Sequence, residues 1–444
     1  MSMTAKKTPS LKTLEKVCNS INFQISGQNI LLTSPYPEAV IASTIISQAI
    51  SRTKSLFHIS FSQPVVTVDT INMLRERFES ASIIVIGVDI LGKKRIKKGK
   101  DYPLIIGGTS ELEQVDSLTL GTDSTLTAAG YVFAKSLIDL NDYNLQFAAA
   151  GTLLNSDMNE SKNGANKEII DLAQNSGLIE ERKGFRLFGV TMLPLDEALL
   201  YSTHPYLATI SGNQRVCDEI LNEAEIPIQK LRTPLSNLST VEAQRLTSVL
   251  ITRLDPNIIP KLLGTDYILT LERETSPIRF VSGIETMGIT AWTQNEPGSI
   301  ISVLLGDRGG ALRALIESHM NHHKDVIAAV QRLESNLHGD STTTTTTVKL
   351  VGTKTEILPD VGRIALESGI VDAVRPLALD NGEAFAIVWP SSKLNSKMVH
   401  HEFLSTDTAI HASSPQSITI IGNAEEKETA LQKIVQLSKG AGKK

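Results

Sequence analysis

The chain has 444 residues, 41% of them hydrophobic and 20% charged, a balance that supports a sizeable core and excludes disordered and fibrous classes. A net charge of −5 supplies no global basic field, so contact with nucleic acid would need a local patch. Only two cysteines, Cys18 and Cys217, exclude a disulfide scaffold and a cysteine-rich zinc site, and fit a reducing, cytoplasmic setting.

No signal peptide is expected, because the lysines near the start have no apolar stretch behind them. No run approaches the ~18 apolar residues of a membrane helix. In chain order, residues 29–33 read as a buried strand. Pro37 then opens a helix to about residue 51, with Val40, Ile41, Ile45 and Ala49 on one face. A strand is expected at 56–61, a helix at 69–79, a strongly apolar strand at 83–88 and a shorter one at 103–106. Thr122 or Asp123 caps a helix reaching about residue 138, and Asn141 starts another through residue 154. This alternation predicts a mostly parallel sheet covered by helices.

Residues 155–166 are polar and read as a loop, and 184–201 as a connector. Ser239-Thr240-Val241-Glu242 is a capping box for a helix that ends before Pro256. Strands are expected at 267–272 and 299–305, and a long helix at 310–337. The threonine run 342–347 is low-complexity, but threonine favours strands and 348–351 continue it. A helix at 361–368, strands at 384–389 and 417–421, and a helix at 424–438 close a smaller α/β domain. The expected division is 1–185, a helical connector 186–260, and 261–444.

In parallel α/β sheets, ligands gather at the carboxyl ends of the strands. That directs attention to residues 34–38, 89–100, 107–110 and 121–124. Lys93, Lys94, Arg95, Lys97, Lys98 and Lys100 form the densest basic cluster of a net-negative chain. Such a cluster either holds single-stranded DNA phosphates in a salt-sensitive contact or lines a solvated hairpin. His319, His322 and His323 share helical spacing but lack a third ligand motif, so a solvated helix face is expected, as for His400-His401. Gly107-Gly108 and Gly309-Gly310 lack the spacing and Lys-Ser/Thr of a phosphate loop and read as turns. Gly121-Thr122-Asp123-Ser124 reads as ordinary helix capping rather than an anion site. No Ser-His-Asp or Cys-His set follows from residue order.

Two phrases carry a resemblance. They are Leu200-Tyr201-Ser202-Thr203-His204-Pro205-Tyr206 followed by Ile210-Ser211-Gly212-Asn213, and Leu263-Gly264-Thr265-Asp266-Tyr267 before Leu271-Glu272. With residues 220–226 and the order of elements, they resemble the archaeal RecJ-like branch of the DHH phosphoesterase superfamily, over about residues 25 to 440. The resemblance implies a fold class of α/β type, with a parallel-sheet DHH-type N-terminal domain and a mixed-sheet C-terminal domain. Active members hold two metal ions, typically manganese, which clamp the attacking and leaving oxygens of a phosphodiester.

Carried over position by position, the motifs are depleted. His-x-Asp-x-Asp-Gly falls on residues 34–39, leaving Ser34, Tyr36, Glu38 and Ala39. The strand-end aspartate is kept as Asp89. Asp-His-His falls on Gly107, Gly108 and Thr109, and the fourth aspartate on Asn155, with Asp157 nearby. In the C-terminal domain the substrate-binding Gly-Gly-Gly-His stretch falls near 407–414, leaving His411. The phosphate-contacting basic residue falls around 390–393, leaving Lys393.

The resemblance therefore implies a retained fold without catalytic residues or cofactor, with Asp89 the one clear ligand left and Glu38 a second candidate. The superfamily has a precedent in the eukaryotic helicase activator that joins MCM and GINS, and some archaeal RecJ-like proteins bind GINS. The expected function is a non-catalytic replication scaffold for GINS and the MCM helicase, contacting single-stranded DNA through residues 93–100. The alternative is a divergent manganese-dependent single-stranded-DNA exonuclease or phosphoesterase using Asp89, Glu38, Asn155 and Asp157. A third reading is a structural subunit paired with an active RecJ paralogue.

Overall fold

The computed structural model describes residues 9–92, 102–112, 115–118, 125–154, 164–337, 347–372, 375–390, 394–404, 406 and 408–441. Its first part contains α1 (Leu11–Ser20), β1 (Gln28–Thr33), α2 (Pro37–Arg52), β2 (Leu56–Phe61), β3 (Val65–Thr67), α3 (Val68–Arg77), β4 (Ser82–Ile86), β5 (Asp89–Leu91), β6 (Leu104–Ile106) and β7 (Asp116–Leu118). It continues through α4 (Leu126–Leu137), α5 (Asp142–Leu154), α6 (Gly164–Asn175), β8 (Ile179–Phe185), α7 (Leu195–Leu200), α8 (Gln214–Glu223), α9 (Thr240–Arg253), α10 (Ile259–Leu262) and β9 (Leu263–Leu269). The remainder is α11 (Val281–Thr293), α12 (Gly298–Leu304), α13 (Gly310–Leu337), β10 (Thr347–Lys349), α14 (Leu358–Glu367), β11 (Leu377–Asp380), β12 (Phe385–Val388), α15 (Ser396–Phe403), β13 (Ile410–Ser414), β14 (Ser417–Ile420) and α16 (Ala424–Ala441).

The chain divides into two compact units. Unit 1 comprises Met1–Glu180, Tyr267–Leu271 and Pro297–Ala311; unit 2 comprises Glu181–Asp266, Glu272–Glu296 and Leu312–Lys444. Unit 1 carries a five-stranded sheet in the order β2-β1-β4-β6-β7, with every pair parallel. Parallel strands are covered on both faces, which explains why Ile83, Ile84, Val85 and Ile86 are all fully buried in a continuous apolar run. Helix α2 is apolar around most of its circumference and is correspondingly buried from Glu38 to Ser47. The strand order reverses between β1 and β4, so their carboxyl ends flank the switch point where such sheets place their ligands.

Unit 2 carries a mixed five-stranded sheet, β10-β11-β12-β14-β13, in which only β10 and β11 are parallel. Two apolar layers cover it. Val326, Val330, Leu358, Val361 and Ile364 pack with Leu377, Leu379 and Val388. On the other face Phe385, Ile387, Trp389, Ile418 and Ile420 pack with Val399, Phe403 and Ile434. Trp292 is also buried, its indole N–H donating to the Ala412 carbonyl at 2.9 Å.

The α/β class with a parallel and a mixed sheet stands as read from the sequence. Several local expectations do not. The stretch 299–305, rich in β-branched side chains, falls in helix α12 up to Leu304 rather than in a strand. Ile300, Val303 and Leu304 recur at helical spacing and are buried, and this tertiary burial overrides local β preference. The polar stretch expected as a loop already enters α6 at Gly164, and the expected connector contains α7. The N-cap of α4 is Thr125, whose hydroxyl accepts from Ala128 N at 3.3 Å, not Thr122 or Asp123, which lie outside the described residues. The threonines 342–346 also lie outside them.

The largest correction concerns histidine. His319, His322 and His323 are 0%, 3% and 2% exposed, not on a solvated face. Their side of α13 is the apolar side, shared with Leu315, Val326 and Val330, so the ring positions follow the buried stripe. His400 is buried as well.

Candidate functional site

At the switch point of unit 1, Ser34 follows β1 and Gly87 follows β4. A Cβ placed on Gly87 would lie 2.8 Å from Ser34 Oγ and 2.9 Å from Leu126 Cδ2. A Cβ on Gly107, just past β6, would overlap the Leu126 side chain, and one on Gly108 would overlap the Val88 carbonyl. The three strand ends thus approach one another closely, and Leu126, the first residue of α4, packs against Gly87 and Gly107. Glycine is required at Gly87 and Gly107 also by backbone φ values of +68° and +66°.

The two carboxylates that remain there serve the backbone. Asp89 is 5% exposed, and its Oδ1 accepts from Thr109 N at 2.6 Å. This ties the start of β5 to the segment after β6, in a turn reinforced by Ile90 N donating to Thr109 O at 2.9 Å. Glu38, 7% exposed in the first turn of α2, accepts with Oε1 from Thr127 N at 3.0 Å. It therefore satisfies one of the amides at the start of α4 that has no partner within the helix. Thr127 Oγ1 donates back to the Glu38 carbonyl at 3.3 Å, and Thr125 N donates to the Asn166 side chain at 3.1 Å. Side chains of its own unit take up Thr125 N, Thr127 N and Ala128 N at the start of α4, as capping does.

Of the positions singled out above, the fold brings Ser34, Glu38, Asp89, Gly107, Gly108 and Thr109 together at the strand ends. Tyr36 stands beside them, half-buried, as the N-cap of α2. Asn155 and Asp157 lie outside the described residues, as do the basic residues Lys93, Lys94, Arg95, Lys97, Lys98 and Lys100, and Lys393. Two divalent ions need several carboxylate or imidazole donors with free lone pairs. Among the described residues no group of three or more His, Cys, Asp or Glu is placed to hold a metal. The two carboxylates described in this crevice each accept from a backbone amide, and Leu126 packs against Gly87 and Gly107. Neither Leu126 nor Thr127 was legible as part of the site, because both belong to an ordinary apolar helix start.

Unit 2 holds a second concentration of polar groups. His322, on α13, and Asp360, in the first turn of α14, join Nε2 to Oδ2 at 2.7 Å. Arg363 Nε donates to Asp360 Oδ1 at 3.2 Å, and Arg363 Nη2 donates to the Thr203 carbonyl at 3.1 Å. Thr203 Oγ1 lies 3.0 Å from His323 Nδ1, and His319 Nδ1 lies 3.0 Å from Thr290 Oγ1. Burial alone would raise the Asp360 carboxyl, but the bond to His322 and the Arg363 charge outweigh it and hold it well below the usual range. Burial pushes the His204 and His319 imidazoles well below their ordinary value, and His323 down to about 3, so all three are neutral at pH 7. His411, which the family motif left standing, is also lowered by burial.

No family model and no curated protein matches this chain. Solved structures do. The crystal structure of CDC45 from Entamoeba histolytica superposes with a TM-score of 0.60 at 12% identity, covering 96% of this chain and 97% of that one. RecJ from Thermus thermophilus in complex with Mn2+ gives 0.48 at 10% identity, over 98% of this chain and 56% of that one. An exonuclease RecJ bound to manganese gives 0.45 at 10% identity, over 98% and 96%. The chain shares the fold of that CDC45 structure over nearly its full length. Among the described residues, no helix is long and apolar enough to cross a membrane.

Proposed function

We propose that this chain is a non-catalytic DNA replication factor, a scaffold that binds GINS and the MCM helicase and needs no metal cofactor. The observation that carries this reading is the fate of the strand-end carboxylates. Asp89 and Glu38 hold Thr109 N and Thr127 N, beside Leu126, which packs against Gly87 and Gly107. The full-length likeness to CDC45 supports the same reading. Residues 93–100 are proposed as the contact to single-stranded DNA, on the strength of their charge alone.

One end-labelled single-stranded oligonucleotide tests the reading. With excess protein and manganese it should remain intact, and an Asp89→Ala variant should behave identically in degradation while losing ~1–3 kcal/mol of folding stability, as for an orphaned buried amide. Degradation abolished by Asp89→Ala would sink the non-catalytic reading and revive the exonuclease. The same strand should bind in fluorescence anisotropy with a salt dependence that weakens when Lys93, Lys94, Lys97 and Lys98 become alanine. Co-elution with purified GINS and MCM on size exclusion is the expected positive result. Co-purification with an intact RecJ paralogue instead would point to the paired-subunit reading.

A further inference from the structure

Unit 2 contains a cavity of about 420 Å³ that is distinct from the strand-end crevice. Its walls are largely apolar, with Pro205, Pro260, Ile289, Pro359, Val388 and Pro415 among the lining. The polar lining includes Arg186, His204, Lys261, Glu285, Asp360 and Arg363. Two of these carry buried donors with no acceptor.

The first is Arg186. Its backbone N–H donates to Leu262 O at 2.8 Å, but its guanidinium Nε–H is buried without a partner. Among the described residues it has no ion pair within 4.0 Å, and Glu285 acts on it only through space. The second is His204. Arg363 Nη2 approaches His204 Nδ1 at 3.5 Å, and Thr203 Oγ1 lies 3.1 Å from the same nitrogen. A guanidinium can only donate, so the neutral tautomer that satisfies this contact accepts at Nδ1 and carries its proton on Nε2. Nε2 is buried without a hydrogen bond, since Asp360 Oδ1 at 3.9 Å is too far. Buried unsatisfied donors are uncommon and call for an acceptor.

Charge narrows what that acceptor is. Lys261 pairs with Glu367 at 3.1 Å, and Arg363 pairs with Asp360 and Glu367 at 3.2 and 3.3 Å. Among the described residues, this leaves Arg186 as the lining cation without a bonded counterion. A doubly charged phosphate would face Asp360, Glu367 and Glu285 on the same walls. A single negative charge on an apolar body matches both the one available guanidinium and the proline-rich lining. We propose that this cavity binds the carboxylate of an apolar-bodied monoacid, with Arg186 and His204 as its donors. That chemistry is met by a free aliphatic acid or by the carboxyl end of a polypeptide.

Calorimetry on the full chain at pH 7 tests this with butyrate, inorganic phosphate, and acetyl-trileucine as free acid and as amide. The free acids should bind and the amide at least about tenfold more weakly, because a neutral amide forfeits the charge-assisted bond. Arg186→Gln should weaken the acids by at least about tenfold, with the circular dichroism spectrum unchanged. Glu285→Gln, which removes a neighbouring carboxylate without changing size, should tighten them at pH 8. Peptide acid binding tenfold better than butyrate identifies a chain end; equal binding identifies a small acid. Amide binding as tightly as acid, phosphate binding more tightly than butyrate, or an unaffected Arg186→Gln variant would each overturn the proposal.

Discussion

Replacing Asp360 with alanine is expected to lower the unfolding free energy by about 3–5 kcal/mol, the cost of removing one partner of a buried ion pair. Asp360 is 3% exposed and joins His322 at 2.7 Å and Arg363 at 3.2 Å. Alanine would leave the Arg363 guanidinium and the buried His322 Nε2 facing each other with no acceptor between them. It would also loosen Arg363 from the Thr203 carbonyl, which joins α14 to the segment before Pro205. Asparagine keeps an acceptor at the same place but loses the charge, so Asp360→Asn should cost less, about 1–3 kcal/mol. Total stability of a domain is typically ~5–15 kcal/mol, so the alanine change would remove a large share of it. Urea unfolding with an unchanged slope and a lower midpoint is the readout. A loss under about 1 kcal/mol for alanine would show that the cluster does not hold unit 2 together.

Stability should also fall steeply on acidification, beginning near pH 6.5. His204, His319 and His323 are neutral in the folded chain because burial lowers their pKa, His323 to about 3. In the unfolded chain they regain an ordinary value of ~6.5. The unfolded state therefore binds more protons below pH 6.5. The contribution of each ring is fully present above that pH and is lost as pH drops toward the folded value. For His323 alone, the loss by pH 4 is on the order of 3 kcal/mol. Asp360, held well below the usual carboxylate range, adds a loss at still lower pH, below its unfolded value.

Two other groups bear on the profile. His400, lowered to about 4 by burial with a smaller push from His401 and His411, acts in the same direction as the cluster. Glu285 acts oppositely. Burial pushes it up to about 7 against the Arg186 charge, so it favours folding at low pH and opposes it as pH rises from the ordinary carboxylate value to about 7. Urea midpoints measured from pH 8 to pH 4 should pass a maximum near neutrality and then decline. His323→Gln should flatten the acid limb. An acid limb unchanged by that substitution would remove His323 from the account.

Much of the candidate site was legible, and much of its chemistry was not. The missing carboxylates and imidazoles at 34–39 and 107–109 are a matter of residue identity, and identity needs no fold. What Asp89 and Glu38 do instead was hidden, because their partners Thr109 and Thr127 lie 20 and 89 residues away. Nothing in the local pattern around Leu126 marks it as the side chain that lies over Gly87 and Gly107.

The sequence by itself determined the elements whose signals are local. Pro37 starts α2, most of the apolar run expected at 83–88 forms the central strand β4, and the long helix α13 spans Gly310–Leu337 as its periodicity predicts. The Ser239–Glu242 box closes as expected, with Ser239 N donating to Glu242 Oε2 at 2.7 Å. These outcomes depend on residues within one or two turns of each other. Only the tertiary structure decided that residues 298–304 coil rather than extend, and that three histidines spaced for a helix face lie inside. His322 meets Asp360 across 38 residues, and Arg363 meets Thr203 across 160. A buried polar side chain is stable only where its partner is, and the partner's place is set by packing, which spacing along the chain does not encode.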